Sequence, residues 1–157
     1  MKTSMNRFAL ALVCCFAPAS VAWAQTPTPM PAWAGSVCPV AHERLASAAN
    51  EEPGADGVSG DFLDAIASYS DCADASKISG DQLEWVHLMK AFAYMGAGAA
   101  RRVSDPKLAS GMFGAAELEI EIQSSNPQLK LWAKKARATL AAARKGNSIE
   151  WKTILNP

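Results

Sequence analysis

The chain has 157 residues, half of them apolar, with 15 basic and 15 acidic side chains and a formal charge of zero. That length supports one domain around one hydrophobic core. The balanced charge excludes a protein that selects partners by a large overall charge, such as a basic nucleic-acid binder.

Residues 1–24 have the pattern of an export signal. Lys2 and Arg7 supply the positive start, residues 8–21 a short apolar run, and Ala22-Trp23-Ala24 a small-x-small cleavage site before Gln25. The run contains Pro18 and falls short of the roughly 18–20 residues that a spanning helix needs. The mature chain is therefore expected to begin at Gln25, to lie in the periplasm or to be secreted beyond it, and to have no membrane span. Cys14 and Cys15 lie within the apolar run and leave with it, so Cys38 and Cys72 remain. An even pair in an exported chain is expected to form a disulfide.

Residues 25–37 carry Pro27, Pro29 and Pro31 without apolar periodicity, which predicts an extended lead-in that stays loose up to Cys38. A single helical domain is expected over 38–157. Pro39 suits a first helical turn, and Val40, Leu45 and Ala49 supply apolar positions for a helix over 39–50. Pro53, Gly54, Gly57 and Gly60 predict a loop over 51–60. A second helix over 61–76 opens on Asp61, with Phe62, Ile66, Tyr69 and Ala73 on one stripe. Asp81 starts a third, in which Trp85, Leu88, Met89, Phe92 and Met95 repeat at helical spacing while Val86, Ala93 and Ala97 make the other side apolar too. A helix apolar all round belongs in the centre; Gly96 and Gly98 are expected to loosen its end. A polar connection over 101–105 leads to a fourth helix, with Asp105 as N-cap, Pro106 in the first turn, and an end near Gln123. Residues 117–122 alternate as a strand would, but Phe113, Ala116 and Ile120 keep helical spacing. Asn126-Pro127 starts a fifth helix with the stripe Leu129, Trp132, Ala133, Ala136 and Leu140, capped by Gly146-Asn147. Ile149, Trp151 and Ile154 predict a tail that docks on the body. The fold class is all-α, about five helices in antiparallel hairpins.

Part of this pattern resembles tetratricopeptide-type helical repeats. Trp85, Leu88, Met89 and Phe92, with Gly96 beyond, approach the first-helix pattern, Ala65 and Tyr69 the second, and Pro127 the terminal proline. Met89 stands where the family has glycine, and the connection near 101–109 is longer than a repeat turn, so a small helical bundle is the alternative architecture. The resemblance implies peptide or protein binding on a concave helical face. Helical aromatic stripes more often face inward, which would make Trp85, Phe92, Tyr69 and Trp132 core residues.

Charge is distributed unevenly. Residues 25–80 carry a net charge of minus six and residues 127–157 of plus six. The basic segment offers Lys130, Lys134, Lys135 and Arg137 as a binding surface for another exported or envelope protein. It lacks the aromatic interleaving of a nucleic-acid surface. His42 and His87 form no metal or nucleophile motif, no glycine-rich loop follows a strand, and no cofactor is expected; His87 is placed to pair with Glu84 on its own helix. Two function classes follow. The first is a non-catalytic binding or adaptor module, including an inhibitor or immunity-type partner. The second is a small cell-wall glycan hydrolase working through carboxylates among Glu43, Glu51, Glu52 and Asp56.

Overall fold

The computed structural model describes residues 28–51, 57–75, 78 and 80–155. The export signal expected at 1–24, the start of the lead-in, and Glu52 and Asp56 lie outside them. The architecture is all-α: α1 (Pro39–Asn50), α2 (Val58–Ala75), α3 (Asp81–Arg101), α4 (Pro106–Glu119), α5 (Pro127–Arg144) and a short α6 (Lys152–Leu155), preceded by a 3-10 turn at Ala34–Ser36. No helix among the described residues is long and apolar enough to cross a membrane.

The centre is α3, against which α2, α4 and α5 all pack. Its large side chains Trp85, Leu88, Met89, Phe92 and Met95 and its small ones Ala91, Ala93 and Ala97 are all buried, as expected for a helix apolar all round. Paired residues fix the directions. Cys38 is bonded to Cys72, joining the start of α1 to the end of α2. Phe62 near the start of α2 lies against Gly96 near the end of α3, and Phe113 of α4 against Gly98. These hairpins are antiparallel, whereas Asn126 at the start of α5 bonds Asp81 at the start of α3, so α3 and α5 run parallel with α4 returning between them. The disulfide closes a sequence separation of 34 residues, which in the chain-entropy model stabilises by about 4 kcal/mol.

Local chemistry explains most boundaries. Asp105 accepts the Leu108 N–H at 2.9 Å and Asn126 the Gln128 N–H at 2.9 Å, each followed by a proline in the first turn. The end of α5 is closed by Gly146 at φ +94°, with the Asn147 N–H donating to the Ala142 carbonyl. Cys38, at φ 53°, is the non-glycine residue among those described in the left-handed region.

Several expectations are corrected. Residues 28–37 are not loose: Pro31, Ala34 and Val37 are buried, Trp33 meets Trp85 edge to face at 6.4 Å, and Trp132 Nε1 donates to the Pro29 carbonyl at 3.1 Å. This strap covers the aromatic centre, and packing the partly buried Trp33 onto the buried Trp85 beside Trp132 outweighs the extended preference of prolines. In α1 the core face is Ala41, Leu45 and Ala48, while Val40 is 61% exposed. Helix α2 starts three residues early, because Gly57, at φ +102°, lets its carbonyl accept the Gly60 and Asp61 N–H groups and buries Val58. Gly96 and Gly98 do not loosen the end of α3. They lie inside the helix, where a Cβ would come within 2.5 Å of the Phe62 ring and 2.8 Å of the Phe113 ring. Their job is close approach. Helix α4 stops at Glu119, before the expected Gln123, because burying Ile120 and half-burying Ile122 turns the chain back across the start of α3. The tail docks as expected, with Trp151 stacked on Phe62 at 5.2 Å and Ile154 buried.

Candidate functional site

The bundle's two ends have different chemistry. Where α3 starts, polar groups are satisfied. Ser124 Oγ and Asn126 Nδ2 donate to the two Asp81 carboxylate oxygens at 2.6 and 2.7 Å, and these bonds, Ser124's first, hold the carboxyl below its usual range. Glu84 accepts the Gln123 N–H at 3.1 Å. Glu119 reaches back from α4 to pair with Lys90 at 2.9 Å and with His87 Nδ1 at 2.5 Å. The expected Glu84–His87 pair is therefore not formed; each finds a partner on the chain that returns across it. His42, whose Nδ1 lies 3.3 Å from the Tyr69 hydroxyl, is held below the ordinary histidine range by burial, and burial also raises the Tyr69 phenol above its own.

The basic residues predicted as a binding surface divide into two groups. Lys130, Lys134 and Arg137 are exposed on one face of α5, at steps of four and three, and Ala141 and Lys145 continue that line. None of the four cations makes an ion pair among the described residues. Ala138 and Leu131, the latter 51% exposed, flank them. Lys135 points elsewhere. Its ammonium donates to the Thr153 carbonyl and sits 4.5 Å over the Trp132 ring, and burial lowers its basicity. It fastens the tail and is removed from the candidate surface. Arg144 is likewise occupied by Glu117, at 2.7 Å, whose carboxyl that hydrogen bond holds below the usual range.

The acids of α2 and the bases of α5 form no ion pair among the described residues. The charge separation seen in the sequence is therefore not cancelled by direct pairing between those helices. The aromatics of the repeat-like pattern, Trp85, Phe92, Tyr69 and Trp132, are at most 1% exposed and belong to the core. No group of three or more His, Cys, Asp or Glu side chains among the described residues could hold a metal. Of the carboxylates considered for hydrolysis, Glu43 is exposed on α1 and Glu51 borders a cleft at the opposite end of the bundle.

That cleft went unread in the sequence. It encloses about 320 Å³ where the ends of α1 and α3, the start of α2 and residues 146–151 meet. Ala48, Val58, Phe62, Ile149 and Trp151 give it apolar walls, with Glu51 and Arg102 among its polar lining. A Cβ built on Gly146 would come within hard contact of Arg102 Nη1, so the guanidinium lies over that glycine. Segments from three separate stretches of the sequence, 48–62, 96–102 and 146–151, build the cleft. A small-residue end of α3 facing a Trp-bearing tail was the one available hint.

Compared with protein-family models, curated proteins and solved structures, the chain matches none.

Proposed function

We propose that this chain is an exported, non-catalytic binding module, of the adaptor or inhibitor type, that seats an acidic protein surface on the cationic face of α5. The observation that carries this reading is the line Lys130, Lys134, Arg137 and Lys145, exposed and without ion pairs among the described residues. Small Ala138 and Ala141 between the cations keep the face flat enough for close approach, and Leu131 adds an apolar edge. The same positive field would speed encounter with a negative partner. A signal-like leader and a disulfide support a periplasmic setting, where cysteine pairs stay oxidised.

The test places a photo-cross-linking side chain at Ala138 and exposes the envelope to light. A discrete adduct is expected that disappears when Lys130, Lys134 and Arg137 are all changed to Gln. The adduct should also weaken as added salt shortens the screening length from about 8 Å toward about 3 Å. The melting temperature of the triple variant should stay nearly unchanged, because exposed charges contribute only about 0–1 kcal/mol each. An adduct that survives the triple substitution and high salt overturns the reading.

A further inference from the structure

We propose that the cleft at the C-terminal end of α3 binds a small apolar zwitterion, an amino acid or dipeptide with an apolar side chain. Its carboxylate would sit on Arg102, its ammonium on Glu51, and its side chain against Phe62 and Trp151. The argument begins with volume: about 320 Å³ lies at the small end of the roughly 300–1,000 Å³ typical of ligand sites. The walls come next. Trp151, half-buried, is stacked at 5.2 Å on the buried Phe62 with their planes 23° apart, and both line the cleft beside the methyl groups of Ala48, Ala99 and Ala100. Such a lining favours an apolar body.

Charge selects the class. The cleft is lined by one cation and one anion of the described chain, Arg102 and Glu51, and neither makes an ion pair there. A purely anionic ligand would satisfy Arg102 and face Glu51 as a like charge; a purely cationic one meets the converse problem. A zwitterion satisfies both. Arg102 is also positioned for the role, since its guanidinium rests over Gly146, a residue that cannot push it aside and whose φ of +94° suits no larger side chain. A guanidinium at the edge of an apolar wall suits bidentate recognition of a carboxylate.

The proposal is independent of the α5 face, because none of Lys130, Lys134 or Arg137 lines the cleft. The test titrates the mature chain, labelled for NMR, with L-leucine, L-phenylalanine and leucyl-leucine, and with N-acetyl-L-leucine and L-leucinamide, which each lack one charge. Shifts centred on the Trp151 indole and Gly146 amide are expected, with a dissociation constant of about 0.1–1 mM for the better zwitterion. Each single-charge derivative should bind about tenfold more weakly. Arg102→Gln should erase the preference for leucine over leucinamide and leave the preference over N-acetyl-leucine; Glu51→Gln should do the reverse. These ratios compare ligands on one folded variant, so loss of stability does not imitate them. The dipeptide arm separates the two sources: tighter leucyl-leucine assigns the cleft to peptides, tighter free amino acid to metabolites. Absence of shifts at about ten times the expected constant, or preferences unchanged in both variants, overturns the proposal.

Discussion

The two ends of α3 solve the same packing problem with opposite materials. At its start, large rings fill the space: Trp85 meets Trp132 edge to face at 5.2 Å, Phe92 meets Trp132 at 6.2 Å, and Trp33 closes the outside. The polar groups there are tied by Asp81, Glu84 and Glu119, and the disulfide lies at the same end. Toward its end, Gly96 and Gly98 bring α2 and α4 close, yet a cleft remains between the helix ends, with charged groups that nothing described neutralises. One end is built for stability and the other leaves surface to spare. A single helix can thus hold a rigid core and an open site when residue size changes along its length.

The contrast is broken or sharpened most directly by removing an indole from each end. Trp132→Ala should cost about 3–5 kcal/mol, the usual loss for emptying a fully buried aromatic site. Trp151→Ala, at a half-buried position facing the cleft, should cost about half as much. Urea unfolding followed by circular dichroism measures both, and equal losses would erase the distinction between the ends.

Glycine tests the same contrast on a smaller scale. Gly96→Ala puts a methyl into a ring already stacked on Trp151, so overpacking of about 1–3 kcal/mol should exceed the roughly 1 kcal/mol gained in helix propensity. Gly60→Ala, in α2 with open space around its would-be Cβ, should instead stabilise by about 0.5–1 kcal/mol. Thermal melts that move the two variants in the same direction would refute close approach as the role of Gly96.

The smallest expected effect is a pH dependence at the closed end. Burial holds the folded-state pKa of His42 below its ordinary 6.5, so the folded protein keeps a neutral imidazole while the unfolded chain takes up the proton first. Its contribution is therefore fully present above about pH 6.5 and is lost as pH falls toward the folded value. His42→Gln should flatten the stability profile in that window; an unaltered slope would show that other groups set it.

Local rules in the sequence reached far into the fold. Pro39–Asn50 matched its predicted bounds, Asp105 and Asn126 cap as their side chains and following prolines foretell, and Cys38 and Cys72 are bonded as expected. Failures came where a distant partner decides. Gly96 and Gly98 look like helix ends until Phe62 and Phe113 are placed against them. The sequence pattern carries no trace of the pairing of Glu119 with Lys90, because the two meet only where α4 packs back along α3. The exposed line on α5 was legible because it repeats at helical spacing, except for Lys135, which only the tail reveals as a fastener. The cleft has no repeat and no motif, and its three stretches, around 48–62, 96–102 and 146–151, meet only in space.

The strap over the aromatic centre bears on the order in which the chain becomes native. Trp132 and Pro29 are separated by 103 residues, whereas α1 with α2 and α3 with α4 are joined across neighbouring hairpins. Local contacts form quickly and distant ones wait for the intervening chain to be arranged. The strap, which precedes α1 in the chain, therefore finds its seat last, once α5 has brought its indole to the centre. Until that moment Trp33 and Trp85 have no cover from that side, and the folding chain would be most exposed to aggregation just before α5 docks.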